Sequence, residues 1–126
     1  RVIHMNKLFL MFLICFLVVF PVHSNECEIN EYKYEDKVTL IDVGYGNLLV
    51  SAPAKLDSKS FQTVYISVAD RAKKETRIQA ELKSSLADGR YSAHVNISEN
   101  RNLDISFTLY WESDGDPCPT IVIKRL

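Results

Sequence analysis

At 126 residues the chain has room for one domain and not two. With 15 Lys and Arg against 16 Asp and Glu the net charge is −1, which leaves no basic excess to neutralise phosphates and argues against nucleic acid as a partner. Hydrophobic residues make up 47%, enough for a packed core, and the three cysteines lack the paired spacing of a zinc site, so neither a metal nor a cofactor is expected.

Residues 1–4 precede the first methionine and read as no element. Met5-Asn6-Lys7 is a short basic start, residues 8–20 are thirteen apolar residues in a row including Cys15, and Pro21-Val22-His23-Ser24 follows with small or short side chains at Val22 and Ser24. This three-part layout is that of a secretory signal peptide cleaved after Ser24, with an uncleaved anchor as the alternative. The run is too short to span a bilayer, which takes about 20 residues. Ile14 before Cys15 and Glu26 before Cys27 are not the small residues that lipoprotein processing needs. The expected organisation is a leader over residues 1–24 and one domain over residues 25–126. The leader takes Arg1 and Lys7 with it and no acid, so the mature balance is 13 basic against 16 acidic residues, or −3. That leaves no polybasic patch for a membrane surface and no integral membrane segment. Cleavage also removes Cys15 and leaves Cys27 and Cys118. An even count in a small secreted domain reads as a disulfide closing nearly the whole mature chain; two free thiols or an intermolecular pair are the alternatives. The expected location is secreted, extracellular or lumenal.

Residues 25–34 are polar and read as an edge strand or extended arm pinned at Cys27. Residues 36–42 (D-K-V-T-L-I-D) are the first convincing strand. Gly44-Tyr45-Gly46-Asn47 is a turn. Residues 48–51 are a short apolar run, and residues 52–60, with Pro53 and Asp57, read as loop. Residues 61–69 alternate, with Val64, Ile66 and Val68 on one face. After a charged connection, residues 76–82 put Ile78, Ala80 and Leu82 inward and Arg77, Gln79 and Glu81 outward. Good helix formers make a helix over residues 70–86 the rival, but period two fits better. Asp88-Gly89 is a hairpin-type turn. Residues 90–97 set Tyr91, Ala93, Val95 and Ile97 against Arg90, Ser92, His94 and Asn96, and residues 98–101 are a polar turn. The strongest alternation is Leu103, Ile105, Phe107, Leu109 and Trp111 against Asp104, Ser106, Thr108 and Tyr110. Asp114-Gly115-Asp116-Pro117 then turns the chain, Cys118 follows, and residues 120–124 form another β-rich run. Strands with one dry face each must pack face to face, so the expected class is all-β, an immunoglobulin-like antiparallel β-sandwich of seven to eight strands.

Catalytic chemistry is not in evidence. His94, the only mature histidine, falls on the wet face with no buried acid beside it, which argues against a nucleophilic triad and against an enzyme. Glu112, Asp114 and Asp116 crowd one turn without the twelve-residue loop and terminal Glu of a calcium site. No carboxylate pair of glycosidase type resolves. Asn96-Ile97-Ser98 is an N-glycosylation sequon on an outward face, meaningful in a eukaryotic source. The apolar stripe Tyr91, Val95, Leu103, Ile105, Phe107, Leu109 and Trp111 has two readings. It is the core, or it lines a cavity between the sheets, where each buried lipid methylene would contribute roughly 0.8 kcal/mol.

Three stretches together resemble the ML lipid-recognition family, which includes the group-two mite allergens and the Niemann–Pick-type sterol carriers. The first is Asn25-Glu26-Cys27, an early cysteine with a strand soon after. The second runs from Phe61-Gln62 to Ala69-Asp70 and on through residues 73–86 (K-K-E-T-R-I-Q-A-E-L-K-S-S-L). The third is residues 102–126: an alternating strand, an acidic glycine turn, a cysteine and a final β-rich run. The resemblance implies that Cys27 pairs with Cys118. It also implies a non-enzymatic carrier holding a lipid, sterol or other apolar molecule between the sheets, with a protein receptor as a further partner. The pocket would be lined by Val64, Ile66, Val68, Ile78, Leu82, Tyr91, Val95, Leu103, Ile105, Phe107, Leu109 and Trp111. The chain departs from the family in lacking cysteines over residues 43–53 and 84–89, where two further disulfides would fall, and in its short segment from Leu86 to Tyr91. The alternative is an immunoglobulin-like extracellular protein-interaction module with a filled core, contacting its partner through Tyr45, Tyr65 and Tyr110.

Overall fold

The structure, a computed structural model, describes Cys27, residues 32–98 and residues 102–126. The expected leader lies outside the described residues, as do most of the expected N-terminal arm and the end of the polar turn over residues 98–101. A short 3-10 turn, Glu35–Lys37, precedes nine strands among the described residues: β1 Thr39–Gly44, β2 Asn47–Pro53, β3 Lys55–Leu56, β4 Lys59–Asp70, β5 Thr76–Leu82, β6 Ser84–Ala87, β7 Arg90–Asn96, β8 Leu103–Ser113 and β9 Asp116–Arg125.

The strands form two antiparallel sheets. One has the order β1-β2-β7-β6 and the other β5-β4-β8-β9, with β3 paired to the start of β4. This is the all-β sandwich expected from the alternation. Its strand order is that of immunoglobulin-like Greek keys, with A-B-E-D facing C-F-G and β5 as an added C′ strand. The short loops that make it follow from local backbone chemistry. Tyr45-Gly46, Asp57-Ser58 and Asp88-Gly89 all take positive φ and close two-residue hairpins of the type that matches strand twist.

The sequence reading is corrected at several places. Residues 52–60 are not loop: the Asp57-Ser58 turn folds β3 back on β4, a hairpin hidden because its turn carries neither Asn nor Gly at the usual positions. The strand expected over residues 36–42 begins at Thr39, after the 3-10 turn has brought Val38 into the core. Asp116 and Pro117 belong to β9 rather than to the turn, and Pro117 is tolerated because β9 is an edge strand. Residues 76–82 form a strand and not the rival helix.

Leu48, Val50, Ala52 and Ala93 of one sheet face Val64, Ile66, Val68, Ile105, Phe107, Leu109, Trp111 and Val122 of the other in a single buried cluster. Phe107 and Trp111 are 0% exposed. Phe61 joins them because the β4–β8 register shifts between Phe61 and Thr63. That bulge lets Phe61 and Val64 point the same way although they are three apart. Phe61 stacks on Tyr91 at 4.7 Å and meets Trp111 edge-on at 5.6 Å, so three rings join the sheets at one end. There the Trp111 Nε1–H donates to the Pro53 carbonyl across the sandwich at 2.8 Å. Cys27 and Cys118 are bonded, Cα to Cα 5.4 Å, and tie the start of the described chain to β9 across 91 residues.

Candidate functional site

The residues expected to line a pocket divide into three groups. Val64, Ile66, Val68, Ile105, Phe107, Leu109 and Trp111 are buried in the core cluster. Leu82, Tyr91, Val95 and Leu103 are partly buried and pack against it. Ile78 does not join them: its register partner is buried Val68, so it shares the inner face as expected, but it is 54% exposed, and Ala80 opposite Ile66 is exposed too. Its strand β5 is outermost in its sheet, and the chain passes through Lys83 alone into β6 of the other sheet.

His94 is exposed, and its Nε2 meets Asn47 Oδ1 at 3.0 Å, an amide and not an acid. Asn96 is exposed as expected, and its Nδ2 donates to the Tyr45 carbonyl and to Asn47 Oδ1. These three side chains link β2, β7 and the β1–β2 turn on the outer face of the β1-β2-β7-β6 sheet. Asp116 is held below the usual aspartate range, first by the Cys118 backbone N–H and then by the Lys59 ammonium, 3.4 Å away. It anchors the β8–β9 turn. Among the described residues no group of three or more His, Cys, Asp or Glu could hold a metal ion. Among the same residues no helix is long and apolar enough to cross a membrane.

The outer face of the β5-β4-β8-β9 sheet is built differently. Period two sends Thr63, Tyr65, Ser67 and Ala69 outward from β4, opposite Tyr110, Thr108, Ser106 and Asp104 of β8. β5 adds Gln79 opposite Ser67 and Glu81 opposite Tyr65. Two open pockets lie on this face. One, of about 260 Å³, is lined by Tyr65, Ile66, Ser67, Gln79, Thr108 and Tyr110. The other, of about 300 Å³, is lined by Ser67, Ala69, Asp104, Ile105, Ser106, Arg125 and Leu126. They share Ser67, and the one at the ring pair is the candidate groove. Tyr65, 41% exposed, meets Tyr110 edge-to-face with centroids 5.8 Å apart and rings at 89°.

Charged side chains at the rim hold local hydrogen bonds, and Arg71 and Asp104 form an ion pair. Thr63 Oγ1 donates to Glu81 Oε1 at 2.7 Å, Arg71 Nε to Asp104 Oδ1 at 3.0 Å, and Arg125 Nη2 to the Tyr32 hydroxyl at 3.2 Å. Around the ring pair, the hydroxyls of Tyr65, Ser67, Thr108 and Tyr110 and the amide of Gln79 have no side-chain hydrogen bond among the described residues. Tyr65 and Tyr110 were legible as exposed tyrosines. Ser67, Gln79 and Thr108 were legible only as wet-face positions, because nothing in the alternation says which strands become neighbours. No protein-family model, curated protein or solved structure matches this chain.

Proposed function

We propose that this chain is a secreted, non-enzymatic recognition module of immunoglobulin-like topology, which holds a partner on the outer face of its β5-β4-β8-β9 sheet. One observation carries the reading. The groove presents five uncommitted polar groups around an aromatic pair, four of them on the two best-paired strands of the sheet and Gln79 on the neighbouring β5. Sites on rigid strands need little reorganisation when they bind. The carrier reading suggested by the ML resemblance asks instead for space between the layers. The side chains that would line that space, Phe107, Leu109 and Trp111 among them, are packed on one another in the core. The Cys27–Cys118 bond suits an oxidising, extracellular compartment.

Labelled protein added to cells of the organism that makes it tests the reading. Saturable binding is expected, lost in a Tyr65→Ala/Tyr110→Ala double variant and kept in Tyr45→Ala, whose side chain stands on a distant hairpin at 98% exposure. Equal binding by all three proteins would sink the proposal. A fluorescent fatty acid decides against the carrier: delipidated protein should not take it up, and uptake abolished by Phe107→Asp would instead establish a ligand between the sheets.

A further inference from the structure

Resting on the recognition reading, we propose that the groove on the outer face is a carbohydrate site taking an uncharged oligosaccharide, with Tyr65 and Tyr110 as its aromatic platform. The chemistry of the lining selects the class. An anionic ligand would need a cation beside the rings, and among the described side chains none that lines the pocket there is basic; Arg71 is paired with Asp104, and Arg125 lines the second pocket, where it donates to the Tyr32 hydroxyl. That also disfavours a nucleic-acid strand, for which stacking rings work together with a cationic track. A lipid chain would need a continuous apolar wall, and Ser67, Gln79 and Thr108 interrupt it.

A pyranose suits what remains. It has a face of C–H groups and a rim of hydroxyls that both donate and accept. Two perpendicular tyrosine rings offer a flat apolar face beside a hydroxyl-bearing edge. Ser67, Thr108 and the tyrosine hydroxyls can each donate or accept, and the Gln79 amide does both at separate atoms. The same groups would cost free energy under a dry protein surface that left them unpaired. The sugar's hydroxyls satisfy them without asking for charge. The second pocket adjoins the groove at Ser67, is lined by Ala69, Asp104 and Ser106 together with Arg125 of β9, and gives room for the next units of a chain.

The sequon adds an independent point. Asn96 stands on the outer face of the opposite sheet. A glycan attached there would leave the groove open.

Titration of isotope-labelled protein with cello-, manno- and chito-oligosaccharides, read by NMR, tests the proposal. At least one of the three should shift Tyr65, Ser67, Gln79, Thr108 and Tyr110 saturably. Tyr65→Ala should weaken that binding about tenfold, the loss expected for one stacked ring. Gln79→Ala should weaken it, and Tyr45→Ala should leave it unchanged. Thermal melts confirm that the variants are folded. If no probe shifts the groove, or if Tyr65→Ala binds as tightly as the parent, the carbohydrate site is overturned. Cell binding separates this failure from that of the module itself. If attachment needs Tyr65 and Tyr110 but survives periodate treatment of the cells and is removed by protease, the partner is a protein and only the carbohydrate inference falls. If attachment ignores both tyrosines, the two proposals fall together.

Discussion

Lys59 begins β4 with its side chain buried, and its ammonium is held by Thr120 Oγ1 at 3.1 Å and Asp116 Oδ2 at 3.4 Å. A charge out of water needs such partners. Asp116 answers it while accepting the Cys118 backbone N–H at 2.9 Å. Both contacts favour the carboxylate, so its folded pKa lies below the ordinary aspartate range. A depressed acid contributes stability that is present in full above the unfolded value and is lost as pH falls through the folded one. Thermal melts between about pH 5 and pH 2 should therefore show a shallower acid decline for Asp116→Asn than for the parent protein. At neutral pH the same variant should melt lower, because Lys59 keeps Thr120 but loses its counter-charge. Equal acid limbs for both proteins would remove Asp116 from this role. None of this could be read from E-S-D-G-D in the sequence, since the acids there stand 53 or more positions from Lys59 and only the β4–β8–β9 order brings them together.

The β1–β2 hairpin shows how one element is locked by another. Gly46 takes φ +79°, and a Cβ there would collide with the backbone carbonyl of Ile97. The approach is that close because the Ile97 N–H donates to the Gly46 carbonyl at 2.7 Å, fastening the turn to the end of β7. Gly46→Ala meets both a strained φ and backbone that cannot step aside. It should destabilise by more than about 1 kcal/mol, measured as a lower denaturant midpoint with unchanged slope. Gly44 has φ +90° but nothing within 4 Å of a Cβ, so Gly44→Ala should be the milder of the two. The sequence marked this stretch as a turn from its paired glycines. Which glycine is constrained by contact was not legible, because Ile97 is 51 residues away.

Across the whole molecule the Cys27–Cys118 bond closes a span of 91 residues. In the chain-entropy account, opening a loop of that size costs about 4–5 kcal/mol, a large share of a small domain's stability. Reduction, or a Cys27→Ser/Cys118→Ser double variant, should move the denaturant midpoint down by a matching amount. An unmoved midpoint would mean that the link adds nothing to the sandwich. The bond also holds the start of the described chain beside β9, the edge of the sheet that carries the groove.

Period two, turn chemistry and a pair of cysteines were enough to establish an all-β chain, most of its strand positions and the dry side of β4, β7 and β8. Those features are local: a pleat alternates its side chains whatever lies above it, and a two-residue turn needs positive φ wherever it sits. The tertiary structure decided the rest. It placed Phe61 inside through a bulge, left Ile78 exposed on the edge strand β5, and packed the apolar stripe on itself. It also set β5, β4 and β8 side by side, so that Tyr65, Ser67, Gln79, Thr108 and Tyr110 share one groove. Neighbourhood across a sheet is a property of strand order, and strand order is settled by how two whole layers bury each other, not by any single segment.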